Sequence, residues 1–439
     1  MKKFKLVLAV AVLSLAMITG CKKDSPTSAV INSGDYIADM NVSPDFNWKT
    51  DMNVIIDVDL NIDGTVYVLS TESDDIVYLV ASSVNKQLNA KINVNNSVTE
   101  LKIRFNGEDK VLSIENETVS CSFANTTKSA MADSDGDGVD DLDDDYPADI
   151  TRAYDNFWPA SNYGTLAFED MWPHEGDFDY NDLVVGFQYQ TVTNGSNQVV
   201  EIFCYFDVRA IGGMYRNGFG VQFADIDPTD VTSVAGYDMG VSENYVSLHA
   251  NGYEDGHTGE LVVLAFEDAW EILVKGDTTF GVNVEPLQND PVESDTITVT
   301  ITMANTNYTY PGNFDAEDSN PFILANINVY DPTDANLRRE IHLKDEAPTD
   351  LMVTDTLFGD FHDTSVVANG EYYYSIAYHA PWALMMHDVV LDFDWTIEGD
   401  SSIARGYLKF TSWANSDGLS DTDWWSGTGG LYRDEAYIW

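Results

Sequence analysis

The stretch Ile56-Asp57-Val58-Asp59-Leu60-Asn61-Ile62 decides the fold class, because every second residue is apolar and each residue between is polar. Side chains of an extended strand point alternately to opposite faces, so this pattern describes a strand with one face in a core and the other in water. The same period returns at Leu101, Ile103 and Phe105, between Glu100, Lys102 and Arg104. It returns again at Val119, Cys121 and Phe123, with Ser120 and Ser122 between. Asp63-Gly64 and Asn106-Gly107 supply turns. About seven short strands are expected within residues 35–126, a small antiparallel sandwich of immunoglobulin-like type acting as spacer or scaffold.

Strand-like runs continue in residues 148–439: Val199–Val208, Gly220–Phe223, Leu261–Phe266, Thr296–Met303, Phe322–Val329, Tyr372–Ala377 and Val389–Phe393. Helical spacing is confined to Ala269–Lys275 and to Ile403–Asn415, where Ile403, Tyr407, Phe410 and Ala414 share a face. The fold expected is mainly β: the small sandwich, an Asp-rich loop over 131–147, and a large β-sandwich-type domain with insertions over 148–439.

The 439 residues carry 73 Asp and Glu against 22 Lys and Arg, a formal net charge of −51. A surface so acidic repels phosphate backbones, which excludes nucleic acid as a partner. At 44% hydrophobic residues the chain has apolar mass to bury, which excludes a disordered acidic chain. Three cysteines cannot make a disulfide framework. Cys121 and Cys204 could bridge in an exported protein, but they fall in different expected domains and are read as separate buried thiols.

The N-terminus gives the address. Lys2, Lys3 and Lys5 precede an apolar run, Leu6–Ile18, too short to span a bilayer and suited to a signal peptide. Ile18-Thr19-Gly20-Cys21 resembles a lipobox, so residues 1–20 are read as a lipoprotein signal, Cys21 as the lipidated residue and 21–34 as a tether. The protein is expected to be exported and anchored to the bacterial outer membrane, with the periplasmic and outer faces both open.

Two constellations carry chemistry. In Asp133-Ser134-Asp135-Gly136-Asp137-Gly138-Val139-Asp140-Asp141-Leu142-Asp143-Asp144 the carboxylates at loop positions 1, 3, 5, 9 and 12 are Asp133, Asp135, Asp137, Asp141 and Asp144. Gly138 permits the turn at position 6, and Val139 offers its carbonyl at position 7. That phase wraps oxygens around calcium, whereas a bare acidic linker needs no such phase. Position 12 is Asp rather than Glu, and Pro147 follows, so the loop looks less like an EF-hand than like a thrombospondin type-3 repeat without its cysteines. The second constellation is Glu169-Asp170 with Asp177, Asp179, Asn181 and Asp182, hard oxygen ligands with Gly176 allowing a turn. Two calcium sites are therefore expected. Catalysis by paired carboxylates is the competing reading, weakened because an acid and a base must have separated pKa values.

These residues, with Gly164–Phe168, Trp172-Pro173, Asn217-Gly218-Phe219-Gly220, Asn320-Pro321-Phe322-Ile323, Glu340-Ile341-His342-Leu343 and Pro381-Trp382-Ala383, resemble the LruC-domain lipoproteins common in Bacteroidota. The resemblance covers the chain from about residue 131 onward. It implies an exported, usually lipid-anchored protein without assigned enzymatic activity and supplies no catalytic residue. The calcium reading rests on ligand chemistry instead.

Trp424, Trp425, Tyr432 and Trp439 gather in the tail, where rings either close a core or stack on sugars. No nucleophile elbow, phosphate loop or zinc helix is present in the sequence. The expected function is that of a calcium-binding, lipid-anchored envelope protein with a structural, adhesin or macromolecule-binding role, and not an enzyme. A carbohydrate-binding accessory lipoprotein and a hydrolase using the carboxylates around Asp170 and Asp177 are the alternatives.

Overall fold

The computed structural model describes residues 37 and 40–439, apart from 125–131, 241–244, 276–280, 286–287, 289, 328–337, 354–356, 390–394, 399–401 and 427–430. The signal, Cys21 and the tether lie outside the described residues, as does most of the expected strand Val389–Phe393.

Seven strands build the first sandwich: β1 (Asp51–Leu60), β2 (Thr65–Ser70), β3 (Val77–Ser82), β4 (Gln87–Asn95), β5 (Glu100–Phe105), β6 (Glu108–Ser113) and β7 (Thr118–Phe123). They form one sheet ordered β4-β1-β7 and another ordered β3-β2-β5-β6. Val54, Ile56 and Val58 are wholly buried while Asp57 and Asp59 are exposed, the sidedness the alternation demands. One pairing corrects the antiparallel expectation. β7 runs parallel to β1, with Ile56 opposite Val119, Val58 opposite Cys121 and Leu60 opposite Phe123. β6 ends in the other sheet, so the chain crosses over and reaches β1 in the same direction, and in-phase alternation still buries both apolar faces.

The remaining strands are β8 (Tyr154–Trp158), β9 (Gly164–Phe168), β10 (Leu183–Thr193), β11 (Val199–Ala210), β12 (Gly218–Phe223), β13 (Val231–Ala235), β14 (Leu261–Phe266), β15 (Ile297–Met303), β16 (Asn320–Leu324), β17 (Glu340–His342), β18 (Tyr374–Ser375), β19 (Ala380–Pro381) and β20 (Ala383–Met386). A seven-stranded sheet runs β13-β15-β11-β10-β9-β20, with β8 also paired to β10. A second sheet runs β14-β12-β16-β17, and β18 pairs with β19. The larger two stack through edge-to-face rings, Phe206 on Phe219 at 5.0 Å and Tyr189 on Phe223 at 6.1 Å. The protein is thus a mainly β, sandwich-type molecule.

Ser33–Trp439 forms one compact unit. The first sandwich joins the larger one through Asn156, which accepts from Val80 N–H at 2.8 Å and donates back to its carbonyl at 3.1 Å. Trp158 Nε1 donates to Asn93 Oδ1 at 3.1 Å across the same seam. A separate aromatic layer gathers Phe46 and Trp48 with Trp395, Tyr407, Phe410, Trp413 and Trp424. Trp424 is wholly buried there, so that ring closes a core, while Trp425 is half-buried.

The helix expected over Ile403–Asn415 is two short ones, Ile403–Gly406 and Phe410–Asn415. Between them Tyr407 bridges Arg433, and Leu408 N–H donates to the Tyr432 carbonyl, so backbone pairing with the tail wins over helical propagation. The first helical candidate shrinks to Ala269–Ile272. Cys121 and Cys204 are free, and burial pushes both thiols above their ordinary range. Among the described residues no helix is long and apolar enough to cross a membrane.

Candidate metal centres

The first constellation is a turn built on its own carboxylates. Asp133 accepts from Gly136 N–H at 2.7 Å and Gly138 N–H at 3.2 Å, and Asp137 accepts from Val139 N–H at 2.8 Å. Gly138 has φ of +99°, a conformation a β-carbon disfavours. The turn brings one oxygen each of Asp133, Asp135 and Asp137 within 4.8 Å of one another. Asp135 and Asp137 each keep a buried Oδ2 with no donor. Asp144, 9% exposed, lies close enough that burial, then Asp137 and Asp135, raise its carboxyl to about 6. Asp141 lies outside that three-acid group, and its two oxygens accept from Ser134 N–H and Oγ–H. The side chain of Val139 packs with Val80, Ala153 and Tyr154, fixing the loop to the seam between the sandwiches.

The second constellation follows β9. Glu169 and Asp170 leave the end of that strand, and the segment Asp177–Asp182 leads into β10, so two neighbouring strands deliver both halves of the site. Phe178 and Tyr180 take φ of 55° and 57° with their rings wholly buried. Left-handed aromatic residues are uncommon and cost of order 1–3 kcal/mol each, a strain that concentrates at functional sites. With those rings in the core, Asp177, Asp179 and Asn181 alternate beside Glu169. One oxygen each of Glu169, Asp177 and Asp179 falls within 4.8 Å of the others. A methyl on Gly176 would overlap Glu169 Oε2 where it stands, so the glycine leaves that oxygen its room.

Glu169 and Asp179 are wholly buried, and Glu169 Oε2 has no donor. Burial and the facing Asp177 push both carboxyls well above the ordinary range. Such crowding is held apart either by protons or by a cation. Asp170 and Asp182 sit to one side of the three-acid group. Asp170 accepts from Asn217 Nδ2 at 2.8 Å, and Asp182 accepts from Asp170 N–H at 2.8 Å. Sequence reasoning missed two participants: Glu398, whose Oε2 is buried and unpartnered, and Gly212, beside which Asn181 Oδ1 and Glu398 Oε2 both lie. The available signal is the acidic alternation Asp392-Phe393-Asp394 and Glu398-Gly399-Asp400, which sequence reasoning passes over.

A third charged cluster is of opposite character. Arg338 donates to Glu254 at 2.6 and 3.0 Å and also to Glu340, all with nearly inaccessible side chains. His342 Nε2 pairs with Glu340 at 3.1 Å, while Thr349 donates to both Glu340 oxygens. Burial alone would raise Glu340, yet Arg338 and His342 hold it well below the ordinary range. Here acid is matched by base, in contrast to the two clusters above.

Residues 197–425 match the model of a family described as a domain of unknown function, DUF4842. No curated protein matches the chain. The fold is similar to a crystal structure described as a "Putative lipoprotein from Bacteroides ovatus", with a TM-score of 0.52 and 15% identity. The alignment covers 85% of this chain and 98% of that one, and at that identity the likeness is one of fold. With more than half of its length matched, the chain belongs to the DUF4842 family.

Proposed function

We propose that this chain is a calcium-dependent, lipid-anchored protein of the bacterial cell envelope with a structural or macromolecule-binding role, and not an enzyme. The observation that carries the reading is Glu169 Oε2, wholly buried, without a donor and facing Asp177 and Asp179. Calcium takes six to eight hard oxygens in irregular geometry, which two clusters of short carboxylates suit. Against catalysis, the buried acids of the second cluster are shifted the same way rather than apart, so no acid and base are separated among them. Anchoring rests on Ile18-Thr19-Gly20-Cys21, on the resemblance to LruC-domain lipoproteins and on the name carried by the Bacteroides neighbour.

Calorimetric titration of the full chain, stripped with EGTA, tests the metal reading. Asp135→Asn with Asp137→Asn should remove one of two ions, and Glu169→Gln the other, each with at least a tenfold loss of affinity at its own site. Unchanged titrations in both variants would refute the assignment.

A saccharide-binding role has one observation in its favour. A cleft of 390 Å³ at the seam is lined by Tyr78, Trp425, Ser97, Thr99, Glu100 and Asp388, rings beside hydrogen-bonding groups. A glycan array without hits would remove that role.

A further inference from the structure

The second acid cluster has a wall that does not come from residues 169–182. The segment Trp395–Glu398 is docked onto the Asp177–Asn181 turn by direct bonds. Trp395 Nε1 donates to the Tyr180 carbonyl at 2.9 Å, and Thr396 Oγ1 donates to the Asp179 carbonyl at 2.8 Å. Further on, Ile403 N–H donates to the Phe178 carbonyl at 2.9 Å. The Asn181 amide fixes what this docking presents to the acids. Its Nδ2 donates to Asp179 Oδ2 at 2.7 Å and to the Thr396 carbonyl at 2.9 Å, so both N–H bonds are spent on acceptors. The reversed amide would set an oxygen against those two acceptors, so this orientation is the one the hydrogen bonds allow. Asn181 Oδ1 is thereby aimed away from them, and it is wholly buried without a donor.

Glu398 Oε2 is the other unpartnered oxygen beside Gly212. A methyl on Gly212 would overlap Asn181 Oδ1 and lie 2.6 Å from Glu398 Oε2, so the glycine makes room for the two oxygens to approach. The charges acting most strongly on Glu398 are Asp177 and Asp170, both negative. The same holds for Asp179, which feels Asp177, Glu169, Glu398 and Asp182. Asn181 Oδ1 and Glu398 Oε2 meet beside Gly212 with no donor on either, and Asn181 is hydrogen-bonded directly to Asp179 of the three-acid group, whose Glu169 Oε2 also has no donor. Hard oxygens left open in this way suit a hard cation.

We propose that Glu398 and Asn181 complete the second calcium site, so that the ion there fastens the C-terminal aromatic layer to the Asp177–Asn181 turn. This rests on the calcium reading above and extends it to a ligand more than two hundred residues away in sequence. The ion becomes a staple between distant parts of the chain, and Gly212 becomes a position where size controls metal affinity.

The test uses the full chain carrying Asp135→Asn and Asp137→Asn, so that calcium titration reads the second site alone. Glu398→Gln in that background should weaken calcium at least tenfold, and Gly212→Ala should do the same by crowding the oxygens. Glu398→Gln is nearly isosteric and removes a repelling charge, so the calcium-free melting temperature should rise while the calcium-induced shift shrinks. Misfolding would lower both. Limited proteolysis without calcium should cut within residues 395–439 in the parent and spare that region when calcium is present. If Glu398→Gln binds calcium as tightly as the parent while Glu169→Gln does not bind, the staple is wrong and the calcium reading stands. If the parent takes no calcium at this site, the reading itself fails and the staple with it.

Discussion

Stripping calcium with EGTA should lower the melting temperature of the full chain by about 10 °C at neutral pH. The size follows from mass action: each site held at a thousand times its dissociation constant contributes about 4 kcal/mol, and a body this large loses roughly 1–2 °C per kcal/mol. Its pH dependence is more diagnostic. Burial and like charges raise the folded values of Asp170 to about 6 and Glu398 to about 7, and push Glu169, Asp179 and Asp182 well above the ordinary range. A carboxyl whose folded pKa is raised holds its proton more tightly in the native state. Its contribution to stability is therefore complete below the ordinary value of about 4 and is lost as pH rises through the folded value. The calcium-free protein should lose stability between about pH 5 and pH 7.5, as repulsion builds with no ion to oppose it. Bound calcium reverses the sign, because ionised ligands are then the favoured form. Scanning calorimetry with and without EGTA should show a gap that widens from pH 5 to pH 7.5. A gap that is absent, or constant with pH, would exclude the buried cluster as the source.

Arg338→Met should destabilise the chain by about 3–5 kcal/mol in urea unfolding at pH 7, with metal binding intact. Arg338 is wholly enclosed and neutralises Glu254 and Glu340, which are themselves nearly inaccessible. Removing it strands two buried carboxylates whose desolvation is then uncompensated. The deficit should shrink as pH falls. In the parent both glutamates are held below the ordinary range despite their burial, so their contribution is present above about pH 4.5 and fades as pH falls through the folded values. In the variant burial prevails, the carboxyls accept protons, and the neutral pair is tolerated. Adding Glu254→Gln and Glu340→Gln should recover much of the loss. A deficit independent of pH would point to lost packing by the arginine stem instead.

Much of the architecture was legible because β-sidedness is written locally. Ile56 and Val58 against Asp57 and Asp59 define a buried face, and Leu261–Phe266 is a strand with the bounds its apolar run suggests. The phase of Asp133, Asp135, Asp137 and Gly138 likewise encodes a turn that folds on its own bonds. What escaped depends on partners distant in sequence. The parallel β1–β7 pairing is set by a crossover between sheets, and the break at Tyr407–Lys409 is set by Tyr432 and Arg433. Asp141 carries the spacing of a ligand, and its bonds from Ser134 are not announced by that spacing. Glu340 and His342 stood out in sequence without a role until Arg338 and Glu254 were placed beside them. Glu398 sits among Asp392, Asp394 and Asp400, acids that nothing in the sequence ties to residues 169–182, and only docking of the tail brings it to Asn181.

The most direct test of the central claim is calorimetric titration of calcium into the EGTA-stripped, unmutated chain. Two ions should bind per molecule, with proton release near pH 6.5 as the raised carboxyls ionise onto the metal. A flat titration at millimolar calcium would contradict the account and leave the buried acids as protonated structural groups.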